Sequence, residues 1–174
     1  MIRCFRESPR HEMPPVHLAE GVYAKATAAL IFMCVDMVIV DRRQKTIFLA
    51  KRRHRPMSGR WWFIGGRRRA GESIIAGAYR CFARETQLRL TLDRFSLIAE
   101  FEYQFVDREQ KPTNVGTHTR ADIFAVELSA KEREQVRLDP EEYEGKLREF
   151  TRKDLRVANI PKPLLETYDL IFEL

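Results

Sequence analysis

A pair of glycines, a run of arginines and two glutamates lie close together between Gly65 and Glu85. The segment reads GGRRRAGESIIAGAYRCFARETQL. Glu72 follows Gly66 by six residues, Arg80 follows Glu72 by eight, and Glu85 follows Arg80 by five. Guanidinium groups match the geometry of phosphate, and carboxylates are oxygen ligands that Mg2+ prefers. The spacing therefore predicts a loop and a helix that together hold a metal diphosphate.

This segment resembles the box of the Nudix hydrolase family, G-x5-E-x7-R-E-U-x-E-E-x-G-U, in which U is an apolar residue. The positions that match the box are Gly66, Glu72, Arg80, Phe82, Glu85 and Leu88. Cys81 and Arg84 stand where the family has metal-binding glutamates, and Gln87 replaces its last glycine. Because cysteine is a poor Mg2+ ligand and arginine carries a permanent positive charge, we expect one metal ion or none.

Loss of these two glutamates is typical of one Nudix branch, the GDP-mannose mannosyl hydrolases. The stretch LAKRRHRPMSGRWWFIGGR resembles the strand, arginine-containing loop and aromatic strand of that branch. The overlapping stretch VDMVIVDRRQKTIFLAKR resembles the segment that carries its aspartate, here Asp36. The resemblance to Nudix proteins is closest over residues 27–90 and extends to about residue 155.

The resemblance implies specific metal ligands. Glu85 and the backbone carbonyl of Gly65 are the expected ligands of Mg2+, with Mn2+ as an alternative ion. Glu72 is expected to pair with Arg80 and brace the loop against the helix, although it could also reach the metal through water.

Three arginines and a tryptophan are expected to bind substrate. The branch places arginines on the diphosphate at the positions of Arg52 and Arg67, although both could instead face solvent. Arg84 could contact phosphate or pair with Glu85. Trp61 and Trp62 alternate faces in a strand, so we expect one in the core and Trp62 near the ligand, with core packing of both as the alternative.

Two carboxylates are candidates for acid-base chemistry. Asp36 interrupts an apolar strand, and a buried carboxylate without a partner is costly, so it has either a salt bridge or a catalytic role. The branch has a histidine base in a loop that here reads LDPEEYEGKLREF and contains none. Glu144 is the expected substitute and Glu142 the alternative, since a carboxylate with a raised pKa can activate water. His118 is interpreted as a surface residue.

Apolar runs and turn residues predict a mixed α/β fold. Helices are predicted over 16–25, 72–88 and 161–174, and strands over 26–40, 46–52, 61–65, 96–105, 121–128 and 146–151. Residues 107–120 are predicted to form a polar loop. Strands covered by helices on both faces form an α/β layer structure, and the resemblance implies a Nudix-type α/β/α sandwich with a mixed central sheet.

Length and composition indicate one domain and an anionic ligand. The 174 residues, of which 44% are hydrophobic, suit a 1–20 N-terminal arm and a single domain over 21–174. The net charge of +6 favours a phosphorylated partner, while the absence of zinc-ligand or RNP-like motifs disfavours nucleic acid. No apolar run approaches the ~20 residues of a membrane span. Three unpaired cysteines suit a reducing cytoplasm, and the branch resemblance is compatible with a homodimer.

The resemblance to the mannosyl hydrolase branch implies Mg2+-dependent hydrolysis of a nucleoside diphosphate sugar, such as a GDP-mannose-like molecule. Water would attack the anomeric carbon and release free sugar and nucleoside diphosphate. Two alternatives remain open: pyrophosphate hydrolysis at phosphorus, and a Nudix-like domain that binds a nucleotide or nucleic acid without turnover.

Overall fold

The computed structural model describes residues 13, 16–157 and 160–173. Most of the proposed N-terminal arm lies outside these residues. The first helix, α1, spans Glu20–Ala29 and so begins later than the predicted 16–25. Among the described residues, none of the helices has the length and apolar character needed to cross a membrane.

Seven strands and five α-helices make up the described chain. The strands are β1 (Phe32–Asp41), β2 (Thr46–Arg52), β3 (Trp61–Trp62), β4 (Ile64–Arg67), β5 (Phe95–Phe105), β6 (Thr117–Glu127) and β7 (Tyr143–Phe150). The other helices are α2 (Ile74–Thr86), α3 (Ala130–Gln135), α4 (Arg152–Val157) and α5 (Lys162–Phe172), and a 3-10 turn covers Leu92–Arg94.

The strands form one mixed sheet in the order β3-β2-β1-β6-β5, with β4 paired to β1 and β7 paired to β2. Strands β1 and β6 are parallel, whereas the remaining pairs are antiparallel. The predicted mixed central sheet is therefore confirmed. Strand β1 lies in its centre, which agrees with a run of buried residues from Val35 to Val40.

Each face of the sheet carries its own hydrophobic core. On one face, Val35, Met37 and Ile39 pack with Ala78, Cys81 and Phe82 of α2. On the other face, Val38 and Val40 pack with residues of α4 and α5, namely Leu155, Leu164 and Tyr168. Helices thus cover both faces, and the predicted α/β/α sandwich is confirmed. We call the first the α2 face and the second, which carries Asp36, the Asp36 face.

Several elements differ from the sequence predictions. The strand predicted over 61–65 is divided into β3 and β4, β7 begins before residue 146, and α4 was not predicted. Strand β1 begins at Phe32 rather than residue 26, because α1 extends to Ala29. Strand β6 begins at Thr117 within the predicted loop, since Thr117 pairs with Phe105 and extends the β5 hairpin. Helix α3 was not predicted, although the capping box of Ser129 and Glu132 marks its start in the sequence.

Candidate functional site at the Gly65–Gly66 turn

Side chains at the two glycine positions of β4 would lie on opposite faces of the sheet. A Cβ atom on Gly65 would lie 2.5 Å from Asp36 Oδ1, and one on Gly66 would lie 3.1 Å from Arg84 Nη2. Successive residues of a strand alternate between faces, and Asp36 is the cross-strand partner of Gly65. The candidate residues therefore form two groups, one on each side of this short strand.

On the α2 face, Glu85 is held by its neighbour Arg84. Helix α2 places Glu85 against the sheet with only 1% of its surface exposed. Arg84 donates to Glu85 Oε1 through both Nε and Nη2. The other oxygen, Oε2, is buried without a hydrogen-bond partner among the described residues. Burial is the main cause that raises the pKa of Glu85.

The loop before β7 lies beside Glu85. The backbone N–H of Arg137 donates to the carbonyl of Thr86 at 2.9 Å and so ties this loop to the end of α2. Burial and Arg84 have the largest effects on the pKa of Glu85. The charges of Glu142 and Asp139 have smaller effects and raise it. The sequence predicted Glu142 only as the alternative base. It did not predict a role for Asp139, although both residues lie in one acidic segment.

The expected metal site does not fit these residues. Arg84 takes one oxygen of Glu85, and the other has less than 1 Å2 of exposed surface, whereas Mg2+ usually keeps several waters. Cys81 Sγ, which would lie 3.3 Å from a Cβ on Gly66, is a soft ligand that Mg2+ does not favour. In the described part of the chain, His, Cys, Asp and Glu side chains form no group of three that could hold a metal ion.

Glu72 forms the predicted brace with Arg80. Arg80 Nε donates to Glu72 Oε1 at 2.6 Å, and Nη2 donates to Oε2 at 2.9 Å. The hydrogen bond from Arg80 is the main cause that lowers the pKa of Glu72. Arg80 also donates to the carbonyl of Arg67, which fixes the loop after β4 against α2. Both oxygens of Glu72 are thereby occupied within the loop.

On the Asp36 face, Asp36 lies near Arg52. Burial raises the pKa of Asp36 to about 7, and the charge of Arg52 opposes this shift. Arg52 ends β2 and donates through Nε to the carbonyl of Pro56. Its charge also acts on Tyr143, whose core contacts are on the α2 face. The residues of the α2 face and those of the Asp36 face therefore come close together at the end of β2.

Arg67 lies between two aromatic rings. Its guanidinium carbon is 4.7 Å from the ring centre of Tyr23 in α1 and 4.4 Å from that of Phe32 in β1. Burial lowers its pKa to about 10, so it stays charged at neutral pH. The structure thus places this predicted phosphate ligand in an aromatic cage, which sequence reasoning did not foresee.

Trp62 lies in the core, and Glu144 lies at the surface of β7. Trp62 is only 5% exposed and packs edge-on against Tyr103 and Phe105. Glu144 is half-exposed and forms an ion pair with Lys51 at 2.7 Å. The hydrogen bond from Lys51 lowers the pKa of Glu144. This shift is opposite in direction to the one that the proposed base role needs, because Lys51 stabilises the charged carboxylate.

Comparison with known proteins agrees with this fold. The family model for the NUDIX domain matches residues 32–169. The chain belongs to the NUDIX domain family. Members of this family are generally hydrolases that act on nucleotide-derived substrates, and they typically use divalent metals such as Mg2+. No curated protein matched the sequence.

Several solved structures share the fold at low sequence identity. The MutT NUDIX hydrolase from Burkholderia pseudomallei is 20% identical, with a TM-score of 0.63 over 82% of this chain and 98% of that one. The E. coli dihydroneopterin triphosphate pyrophosphohydrolase is 13% identical, with a TM-score of 0.59 over 80% and 96% of the two chains. Shewanella oneidensis NrtR, crystallised with a 27mer DNA, is 13% identical, with a TM-score of 0.55 over 79% and 59%.

Proposed function

We propose that this Nudix chain hydrolyses a nucleoside diphosphate sugar to free sugar and nucleoside diphosphate. The observation that carries the proposal is that Asp36, whose pKa is about 7, lies against Gly65 of β4 and feels the charge of Arg52. A carboxylate that titrates near neutral pH is suited to remove a proton from water. Arginine is suited to the diphosphate that departs.

The reaction proceeds at the end of the sheet where the two faces meet. Asp36 accepts a proton from water as the water oxygen bonds to the anomeric carbon. The bond between that carbon and the diphosphate oxygen breaks, and its electron pair leaves with the diphosphate. Arg52 offsets the negative charge that develops there. This chemistry parallels that of an inverting glycosidase, in which a base activates water on the face opposite the leaving group.

The first test locates the bond that breaks. GDP-, UDP- and ADP-sugars are incubated with the protein in 18O-water, in parallel with Mg2+, Mn2+ and EDTA, and the products are identified by mass spectrometry. We expect the label in the released sugar. Label in a nucleoside monophosphate or a sugar phosphate would instead establish attack at phosphorus, the reaction class named for the E. coli pyrophosphohydrolase.

The second test identifies the base. Asp36→Asn should lower kcat at least about a hundredfold, the scale of general base catalysis. Glu144→Gln serves as the control, because its carboxylate is held by Lys51 on the surface. Glu142→Gln tests the loop carboxylate that acts on Glu85. If Glu144→Gln or Glu142→Gln alone abolishes turnover, the assignment to Asp36 is wrong.

A domain that binds a nucleotide or nucleic acid without turnover is the second candidate. The closed environment of Glu85 favours it, since both carboxylate oxygens are withdrawn from solvent. NrtR, a structural neighbour, was crystallised with DNA. Retained binding of the nucleotide sugars without products in any buffer would support this candidate over the hydrolase.

A further inference from the structure

The guanidinium group of Arg84 lies between Gly66 of β4 and Glu85 of α2. Nη2 would lie 3.1 Å from a Cβ on Gly66, while Nε and Nη2 both donate to Glu85 Oε1. The metal predicted from the sequence was to bridge the carbonyl of Gly65 and the carboxylate of Glu85. A cation of this chain therefore already stands against the carboxylate that such a metal would bind.

The surroundings of Arg84 leave it able to bind an anion. Half of its side chain, 51%, is exposed, whereas Glu85 is 1% exposed. Nη1 makes no hydrogen bond to the part of the chain that the structure describes. A guanidinium has five N–H donors, so contact with one carboxylate oxygen leaves donors for a phosphate. The Glu85 carboxylate thus orients Arg84 without using all of its donors.

We propose that Arg84 takes the place of the metal ion, so that a diphosphate binds to this guanidinium and Glu85 binds no divalent ion. Glu85 is then a positioning residue, which holds Arg84 over Gly66. The inference rests on the proposed function only for its ligand, a diphosphate. The exclusion of the metal rests on the contacts of Glu85 alone.

Binding of Mn2+ without nucleotide tests whether Glu85 binds a divalent ion. Mn2+ is titrated into the protein and the free ion is measured by EPR, without nucleotide. We expect no site that depends on Glu85 in the wild type. Arg84→Glu restores the glutamate of the family box beside Glu85 and should bind Mn2+ at least about tenfold more tightly, because two adjacent carboxylates then face the turn.

Arg43→Glu is the matched control. It makes the same charge change at an exposed residue in the turn that follows β1. The end of β1 lies about 20 Å along the strand from Val35, the partner of Gly66. It should not change Mn2+ binding. The exclusion is overturned if the wild type binds Mn2+ and Glu85→Gln abolishes that binding.

Binding of inorganic pyrophosphate tests the other half of the proposal. Calorimetric titration of the wild type in EDTA should show binding, and Mg2+ should not strengthen it at the protein once binding of the ion to pyrophosphate is subtracted. Arg84→Gln replaces the guanidinium with a neutral amide that still donates hydrogen bonds, and should weaken binding at least about tenfold. Circular dichroism of both Arg84 variants establishes that they are folded.

The outcomes separate this inference from the proposed function. Pyrophosphate binding that needs Mg2+ and is unaffected by Arg84→Gln overturns the role of Arg84, while the hydrolase assignment stands. A wild type that binds pyrophosphate through Arg84 but releases no sugar leaves the inference in place and removes the proposed reaction. No pyrophosphate binding in either buffer overturns the ligand assigned to Arg84.

Discussion

The two faces of β4 carry similar residues in different physical states. On the α2 face, an acid and an arginine that are adjacent in sequence, Glu85 and Arg84, form a direct ion pair. On the Asp36 face, burial raises the pKa of Asp36 to about 7 and the charge of Arg52 opposes that shift. The difference shows that one acid is committed to holding a cation, whereas the other is free to take up and release a proton.

The largest expected effect on stability comes from Gly65→Ala, which adds one methyl group on the Asp36 face. In Gly65→Ala the new Cβ would overlap the Val35 carbonyl oxygen and lie 2.5 Å from Asp36 Oδ1, so the backbone of β1 must move. We expect a loss of more than about 3 kcal/mol in the free energy of unfolding, at the upper end of overpacking costs. Urea denaturation of the purified variant measures it.

Gly66→Ala is the paired variant on the α2 face. Its Cβ would lie 3.1 Å from the mobile end of Arg84 and 3.3 Å from Cys81 Sγ. Since the arginine can move, we expect a loss below about 1 kcal/mol, together with weaker pyrophosphate binding. Equal losses of stability for the two variants would contradict the different packing of the two faces.

Much of this arrangement was predictable because it is local in sequence. Strand β2 was predicted over its full range, 46–52, from an apolar run bounded by turn residues. The Glu72–Arg80 ion pair was predicted from the resemblance to the Nudix box, in which these two positions lie eight residues apart. In both cases the residues that carry the prediction lie within one short segment of the sequence.

Contacts between distant segments escaped prediction for the opposite reason. The cage around Arg67 brings together Tyr23 and Phe32, and the first of these lies on a helix outside the matched domain. The alternation of Gly65 and Gly66 between faces depends on pairing β4 with β1, which spacing alone does not reveal. The sequence left two contacts open for Arg84, a phosphate or Glu85, and the structure shows the contact with Glu85.

A pH series sharpens the comparison through Asp36. The folded pKa of about 7 lies above 3.8, the ordinary value of an aspartate, so the folded protein binds more protons between these values. Stability should therefore fall as pH rises, by about 2 kcal/mol between pH 5 and 7. Asp36→Asn cannot ionise and should remove most of this slope. Urea midpoints of both proteins at half-unit pH steps measure it.

Other groups near Asp36 do not produce this slope. Cys34 and Tyr103 lie close enough for the charge of Asp36 to act on them, but burial raises both of their pKa values far above this pH range. A slope that persists unchanged in Asp36→Asn would show that another group titrates, and would remove the reason for assigning the base to this face.

A smaller effect than that of the pH series is expected at the cage of Arg67 on the Asp36 face. Tyr23→Ala removes one of two rings that contact the guanidinium and should cost about 1 kcal/mol of stability, the scale of a cation–π contact. Tyr23→Phe retains the ring and should restore stability. Val22→Ala, at an exposed neighbour in the same helix, controls for effects on α1 itself. Thermal and urea unfolding of the three variants provide the comparison.

Pyrophosphate binding by the same variants decides what the cage is for. If Arg67 contacts the diphosphate, Tyr23→Ala weakens binding and Tyr23→Phe restores it, because the ring positions the charge. If binding is unchanged while stability falls, Arg67 joins α1 to the sheet and contacts no ligand. The phosphate would then be bound only by arginines at the Gly65–Gly66 turn, and Arg84 would be its main cation on the α2 face.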